Sequence, residues 1–145
     1  MKIMAIDYGE NRTGVALSDA TGFLTGRTFL IKSRKQDAVI EQLLALAREQ
    51  GAEEMVLGHP LNMDGTIGPR AEKCQALAQR LRARTDLPVV LWDERRTTVD
   101  AHRILFEAGK NGKKRKKIVD AVAASLILEG YLDFRRMKQG QEESL

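Results

Sequence analysis

The apolar positions of this chain change their spacing several times, and each change marks an element. Lys2 to Ile6 is an almost continuous apolar run ending at Asp7, the pattern of a buried strand. A glycine-containing turn follows, and Thr13 to Ser18 predicts a second strand, the hairpin partner of the first. A third strand is expected over Arg27 to Lys32. From Asp37 to Gln50 the apolar residues Val39, Ile40, Leu43, Leu44, Leu46 and Ala47 have helical spacing, and Gly51 stops the helix. Glu54 to Leu57 predicts a short strand ending at Gly58. The turn-rich stretch His59 to Pro69 comes next, and Pro69 opens a helix that runs to Arg84. Val89 to Trp92 predicts a strand ending in Asp93-Glu94. Thr97 or Thr98 then caps a helix to Ala108, closed by Gly109. Lys110 to Lys117 reads as a basic loop, Ile118 to Phe134 as an apolar final helix, and Arg135 to Leu145 as a frayed polar tail.

This order is three strands, helix, strand, helix, strand, helix, helix. Early neighbouring strands suit antiparallel hairpins, and later strand-helix alternation suits parallel crossovers. The expectation is a three-layer α/β fold with one mixed five-stranded sheet flanked by helices. No internal repeat or linker interrupts it, so residues 1–134 are expected to form a single domain and 135–145 its tail.

Composition narrows the function classes. No apolar run approaches the roughly 20 residues that a membrane span requires. The N-terminus lacks the charged start, apolar middle and small-residue cleavage site of a signal peptide. Cys74 is the only cysteine, which excludes an intrachain disulfide and a cysteine zinc cluster. A cytoplasmic location and no membrane association are expected. The net charge of +4 is unevenly spread, with six basic residues among the eight from Lys110 to Lys117. Such a run is either a solvated loop or contact surface for a polyanion.

Three acidic positions carry the candidate chemistry. Asp7 ends the first strand, and an uncompensated charge at the mouth of an apolar strand costs several kcal/mol, of order. Glu94 lies just past the end of a later strand, beside Asp93. Alternation points those two to opposite faces without saying which one faces Asp7. If the two strands are parallel neighbours, Asp7 and Glu94 meet at their carboxyl ends, where ligands of open α/β sheets gather. Asp120 begins the last helix on the face of Ala123, Ala124, Ile127 and Tyr131. Carboxylates without a histidine or cysteine cluster favour a hard cation, Mg²⁺ or Mn²⁺, of the kind that serves phosphoryl transfer. The basic run abuts the start of the Asp120 helix, where cations oppose the helix dipole. A bound phosphate backbone explains them better than stability does. His59, His102, Cys74 and Trp92 read as turn, surface or core residues.

At these positions the chain resembles the YqgF/RuvX-like family. The resemblance lies in Asp7-Tyr8-Gly9 with Arg12 and Gly14-Val15-Ala16, in Gly58 with Pro60-Leu61-Asn62-Met63-Asp64-Gly65-Thr66, in Asp93-Glu94-Arg95 with Thr97-Thr98, and in Asp120-Ala121-Val122-Ala123-Ala124. It covers the chain to about Leu132, and four motifs in the family's order make it specific. His59 departs from the pattern, which more usually has an apolar residue there. The resemblance implies a ribonuclease H-like fold and a metal-dependent nuclease whose acidic positions match Asp7, Glu94 and Asp120. It implies action at the 5′ end of the small-subunit (16S) rRNA precursor, with Holliday-junction resolution as the alternative. A fuller resolvase site carries a fourth acid three positions after the last Asp, where this chain has Ala123.

The expectation is therefore a divalent-metal-dependent phosphodiester hydrolase. Asp7, Glu94 and Asp120 are its metal and catalytic residues. Arg12, Arg95, Lys113, Lys114, Arg115, Lys116 and Lys117 hold nucleic acid, with precursor rRNA or branched DNA as partner, and the protein is a monomer or weak homodimer. Two other classes stay open: a non-catalytic nucleic-acid-binding factor, and a nucleotide-binding protein of the actin/sugar-kinase type, for which this length holds only one of two related domains.

Overall fold

The computed structural model describes residues 1–22, 25–93 and 112–143, and for 112–122 and 139–143 only the course of the backbone. The elements are β1 (Ile3–Asp7), β2 (Arg12–Ser18), β3 (Thr25–Lys32), α1 (Gln36–Gln50), β4 (Glu54–His59), α2 (Pro69–Arg84), β5 (Val89–Asp93) and α3 (Gly112–Glu143). They form one five-stranded sheet in the order β3-β2-β1-β4-β5. β1, β2 and β3 pair antiparallel, whereas β1, β4 and β5 run parallel. The expected mixed sheet is present.

Strand alternation sorts the core into two clusters. Met4, Ile6, Val15, Leu17, Met55 and Leu57 face α1 and α2, meeting Ile40, Leu43, Leu77 and Leu81. Ile3, Ala5, Ala16, Val56 and Trp92 face α3, meeting Ala124, Ile127, Leu128 and Tyr131. α1 ends where Gly51 takes a left-handed φ of 69°, so that Ala52 N–H donates to the Ala47 carbonyl at 2.9 Å and closes the last turn. Among the described residues no helix is long and apolar enough to cross a membrane.

A polar contact ties α3 to the start of β4. The buried carboxylate of Glu54, first residue of β4, accepts a hydrogen bond from the Tyr131 hydroxyl and lies 3.4 Å from Arg135 Nη1. Trp92 packs edge-on against Tyr131, with ring centroids 5.6 Å apart. α3 lies across the face of the sheet that carries Ile3, Ala5, Ala16, Val56 and Trp92.

Two expectations need correction. The segment from Gly112 through Lys117 is helical, not a loop, and the helix continues past Phe134 to Glu143 rather than fraying from Arg135. Lys and Arg are good helix formers, so a run of them extends a helix when an apolar stripe downstream anchors it. The helix expected from Thr97 to Ala108 lies outside the described residues.

Candidate active site

Asp7 is the last residue of β1, and its side chain is 15% exposed. Its backbone pairs with Gly14 of β2, one step beyond Ile6–Val15, so the hairpin fixes it from one side. On the other side Ile6 is level with Leu57, and Gly58 is level with Trp92. The carboxyl ends of β1, β4 and β5 therefore form one ledge, the position at which such sheets bind ligands.

β5 is parallel to β1, but β4 lies between them. Asp7 and the end of β5 are thus two strand spacings apart, about 10 Å, rather than neighbours. Glu94 itself, with Arg95, lies outside the described residues. The register does settle the choice left open for Asp93. Val89 and Leu91 pack on the α1/α2 side and Trp92 on the α3 side, so alternation gives Asp93 to the α1/α2 side. Asp7 continues the Ile3–Ala5 parity and belongs to the α3 side. Asp93 is not on Asp7's face.

Asp120 lies in α3, four residues before Ala124 and seven before Ile127, which pack on that side of the sheet. Of the three expected acids, Asp7 stands at the end of β1, Asp120 lies in the N-terminal part of α3, and Glu94 is outside the described residues. Among the described residues no group of three His, Cys, Asp or Glu side chains could hold a metal ion.

Asp7 has a protein cation beside it that the sequence did not suggest. Arg70 Nη2, from the first turn of α2, stands 3.8 Å from Asp7 Oδ1. Pro69 at the first helical position starts α2 and aims its N-terminus at the ledge. The loop leading there is held by its own side chains. Asn62 Nδ2 donates to Thr66 Oγ1 at 2.9 Å, and Thr66 Oγ1 donates to Asp64 Oδ1 at 2.6 Å. Gly65 takes φ +87°, which suits the turn that a side chain there would strain. Met63, 92% exposed, is presented at the tip. His59 ends β4 with Nε2 buried and no hydrogen-bond partner among the described residues.

The expected nucleic-acid contacts divide three ways. Arg12 begins β2 at the rim of a cleft of about 570 Å³ beside the Asp7 turn. Lys113, Lys114, Arg115, Lys116 and Lys117 lie in the first turns of α3, whose first turn carries no acid to offset the dipole. Arg95 is outside the described residues. Lys32 and Arg34 share the Arg12 cleft, and the sequence hides this because Lys32-Ser33-Arg34-Lys35 reads as an ordinary solvated connection, 20 residues from Arg12 in the chain.

A three-layer α/β unit around one mixed five-stranded sheet in this order is the ribonuclease H-like fold. Over 92% of this chain and 96% of the other, it superposes on Thermus thermophilus RuvC in complex with a Holliday junction substrate, with a TM-score of 0.62 at 10% identity. Fowlpox virus resolvase, solved with Holliday junction DNA, superposes over 96% and 98% of the two chains with a TM-score of 0.52 at 10% identity. At such identity the likeness is one of fold. The chain belongs to the RuvX family, described as Holliday junction resolvase, whose profile matches residues 1–134. Among curated relatives, one from Halothermothrix orenii is 43% identical over 140 residues, covering 97% of this chain and 100% of its own length. Another, from Moorella thermoacetica, is 45% identical over 133 residues, covering 92% and 95%. Both carry the name "Putative pre-16S rRNA nuclease".

Proposed function

We propose that this protein is a divalent-metal-dependent nuclease that hydrolyses phosphodiester bonds in structured nucleic acid, and that its substrate is the 5′ end of the 16S rRNA precursor. The observation that carries the reading is the placement of the partly enclosed Asp7 carboxylate at the end of β1, on the face of the sheet that α3 covers. The full-length similarity to relatives named for pre-16S rRNA supports the substrate.

Asp7, Glu94 and Asp120 are the residues proposed to hold Mg²⁺ or Mn²⁺. An all-oxygen carboxylate set suits a hard cation, and the partly enclosed Asp7 carboxylate fits that requirement. When bound, the metal supplies charge stabilisation and an activated water for in-line displacement. Asp7 itself is held rigid by the β1–β2 hairpin. Arg70 and Arg12 place positive charge beside it, suited to a phosphate oxygen. The cations of 113–117 extend that positive charge along α3.

The family's description favours four-way DNA as a second substrate. Ala123, where a fourth acid would stand, argues for RNA as the primary one. The test is cleavage of precursor rRNA and of a four-way DNA junction by wild type and Asp7→Asn, with and without Mn²⁺. Wild type is expected to cut the rRNA only with metal, and Asp7→Asn to lose activity by at least about a hundredfold while keeping its circular dichroism spectrum. An Asp7→Asn protein that cuts as well as wild type overturns the reading.

A further inference from the structure

We propose that the cleft between the β1–β2 turn and the β3–α1 connection is a phosphate-binding subsite, which holds the nucleic-acid strand one step away from the Asp7 carboxylate. The inference rests on the proposed polynucleotide substrate, and it adds Lys32 and Arg34 and a direction for the strand.

The cleft is built by the fold and not by mobile side chains alone. Ser33 N–H donates to the Asn11 carbonyl at 3.1 Å and ties its two walls together. Gly9 forms part of the wall, and a Cβ there would stand 2.4 Å from the Arg12 carbonyl oxygen, so the tight turn excludes a side chain. Arg12, Lys32 and Arg34 supply the charge. Among the described residues the one acid at the rim is Glu10, whose Oε1 lies 3.1 Å from Lys73 Nζ and so leaves the three cations uncompensated by it.

Two features call for an anion here. Arg12 and Lys32 are direct cross-strand partners, and like charges in that relation are destabilising. Arg12 Nη1 is buried with no hydrogen-bond partner among the described residues. A lysine on an edge strand has an ordinary role in blocking strand addition, and β3 is an edge strand. That role explains Lys32 alone, and it explains neither the buried Nη1 nor the pairing. A phosphate oxygen answers both, since it accepts from a guanidinium fork and neutralises a neighbouring ammonium.

The register gives the path. Asp7 is level with Gly14, and Arg12 lies two residues from Gly14 on the same side of the sheet, a diagonal step of about 7–8 Å. Lys32 is level with Arg12 one strand further out. A strand cut at Asp7 would therefore run over β2 to the β3 edge, away from β4 and β5. The bound group is either an internal phosphodiester or a terminal phosphate of that strand.

The test is the salt dependence of binding to a short single-stranded RNA carrying either a 5′ hydroxyl or a 5′ phosphate, in EDTA so that cutting plays no part. Lys32 and Arg34 are exposed, so the double variant Lys32→Ala/Arg34→Ala should fold, and a melting curve checks it. The control is Arg48→Ala/Lys138→Ala, which removes the same charge from exposed sites elsewhere. The cleft variant is expected to lower the slope of log K against log salt by about 0.7 for each phosphate it no longer neutralises, with the control unchanged. An equal loss on both RNAs assigns an internal phosphodiester, and a loss confined to the 5′-phosphorylated RNA assigns the terminal group. Slopes unaltered in the cleft variant, a control that falls as far, or wild-type binding without salt dependence each overturn the subsite. Absence of cleavage by wild type with Mn²⁺ would sink the nuclease reading and leave this measurement standing.

Discussion

Arg70, in the first turn of α2, holds its guanidinium 3.8 Å from the carboxylate of Asp7 at the end of β1. β2, β3, α1 and β4 lie between the two residues along the chain, and the contact forms only because α2 begins at the strand ends. It places a protein cation where the proposed metal must compete. Arg70 is largely exposed, so the pair is screened and its energy is of the order of an exposed ion pair, about 0.2–1 kcal/mol. Arg70→Ala is expected to lower the Mn²⁺ concentration for half-maximal cleavage by about twofold to fivefold and to weaken RNA binding. A metal titration of both proteins decides it. An unchanged midpoint would mean that Arg70 does not act on the metal carboxylate.

Gly9 tests whether the hairpin turn positions Asp7. Because a Cβ would stand 2.4 Å from the Arg12 backbone oxygen, Gly9→Ala must shift the turn. A backbone displacement of this kind beside the proposed metal-binding carboxylate is expected to reduce the cleavage rate by about a hundredfold. The melting temperature should fall only slightly, because the change lies outside both core clusters. Rates and melting curves measured together separate positioning from folding.

Leu128 is fully buried between α3 and the sheet. Leu128→Ala is expected to destabilise the protein by about 2–5 kcal/mol, read from denaturant midpoints. Because the same stripe carries Asp120, the variant should also cleave more slowly under conditions where it is still folded. The conservative Leu128→Met should restore most of both.

Tyr131 gives the fold a pH dependence. Burial, and then the hydrogen bond to Glu54, push its hydroxyl well above the ordinary tyrosine value of 10.0. A group whose folded value is raised contributes stability that is complete below the unfolded value and is lost as pH rises toward the folded one. Wild type should therefore lose stability progressively above about pH 10. Tyr131→Phe should lack that part of the alkaline loss and be about 1–3 kcal/mol less stable at neutral pH, since it leaves the buried Glu54 carboxylate with Arg135 alone. Chemical denaturation of both proteins across the alkaline range measures it.

Much of this molecule is legible in the unfolded chain. All five strands and the helices α1 and α2 follow from apolar spacing and from stop signals such as Gly51 and Pro69, because burial of one face is a local, periodic property of the chain. The family follows from motifs whose residues are close in sequence. Asp7 stands out because a charge ends an apolar strand, and Asp120 because its helix stripe is otherwise apolar. The basic run reads misleadingly as a loop because repulsion among like charges is the obvious local signal. The good helix propensity of Lys and Arg, with the anchoring stripe beyond them, outweighs it.

Tertiary structure decided what no local pattern encodes. Strand order is set by closure between segments far apart in sequence, so only the sheet shows that β4 separates β1 from β5 and that Asp93 falls on the face opposite Asp7. Arg70 at Asp7, and Lys32 beside Arg12, are likewise products of topology, since each cation carries no periodic mark of its own. The sequence by itself determined the elements, the family and the Asp7 strand end. The tertiary structure determined which face that carboxylate shares and which cations surround it, because electrostatic neighbours are chosen by how layers stack and not by spacing along the chain.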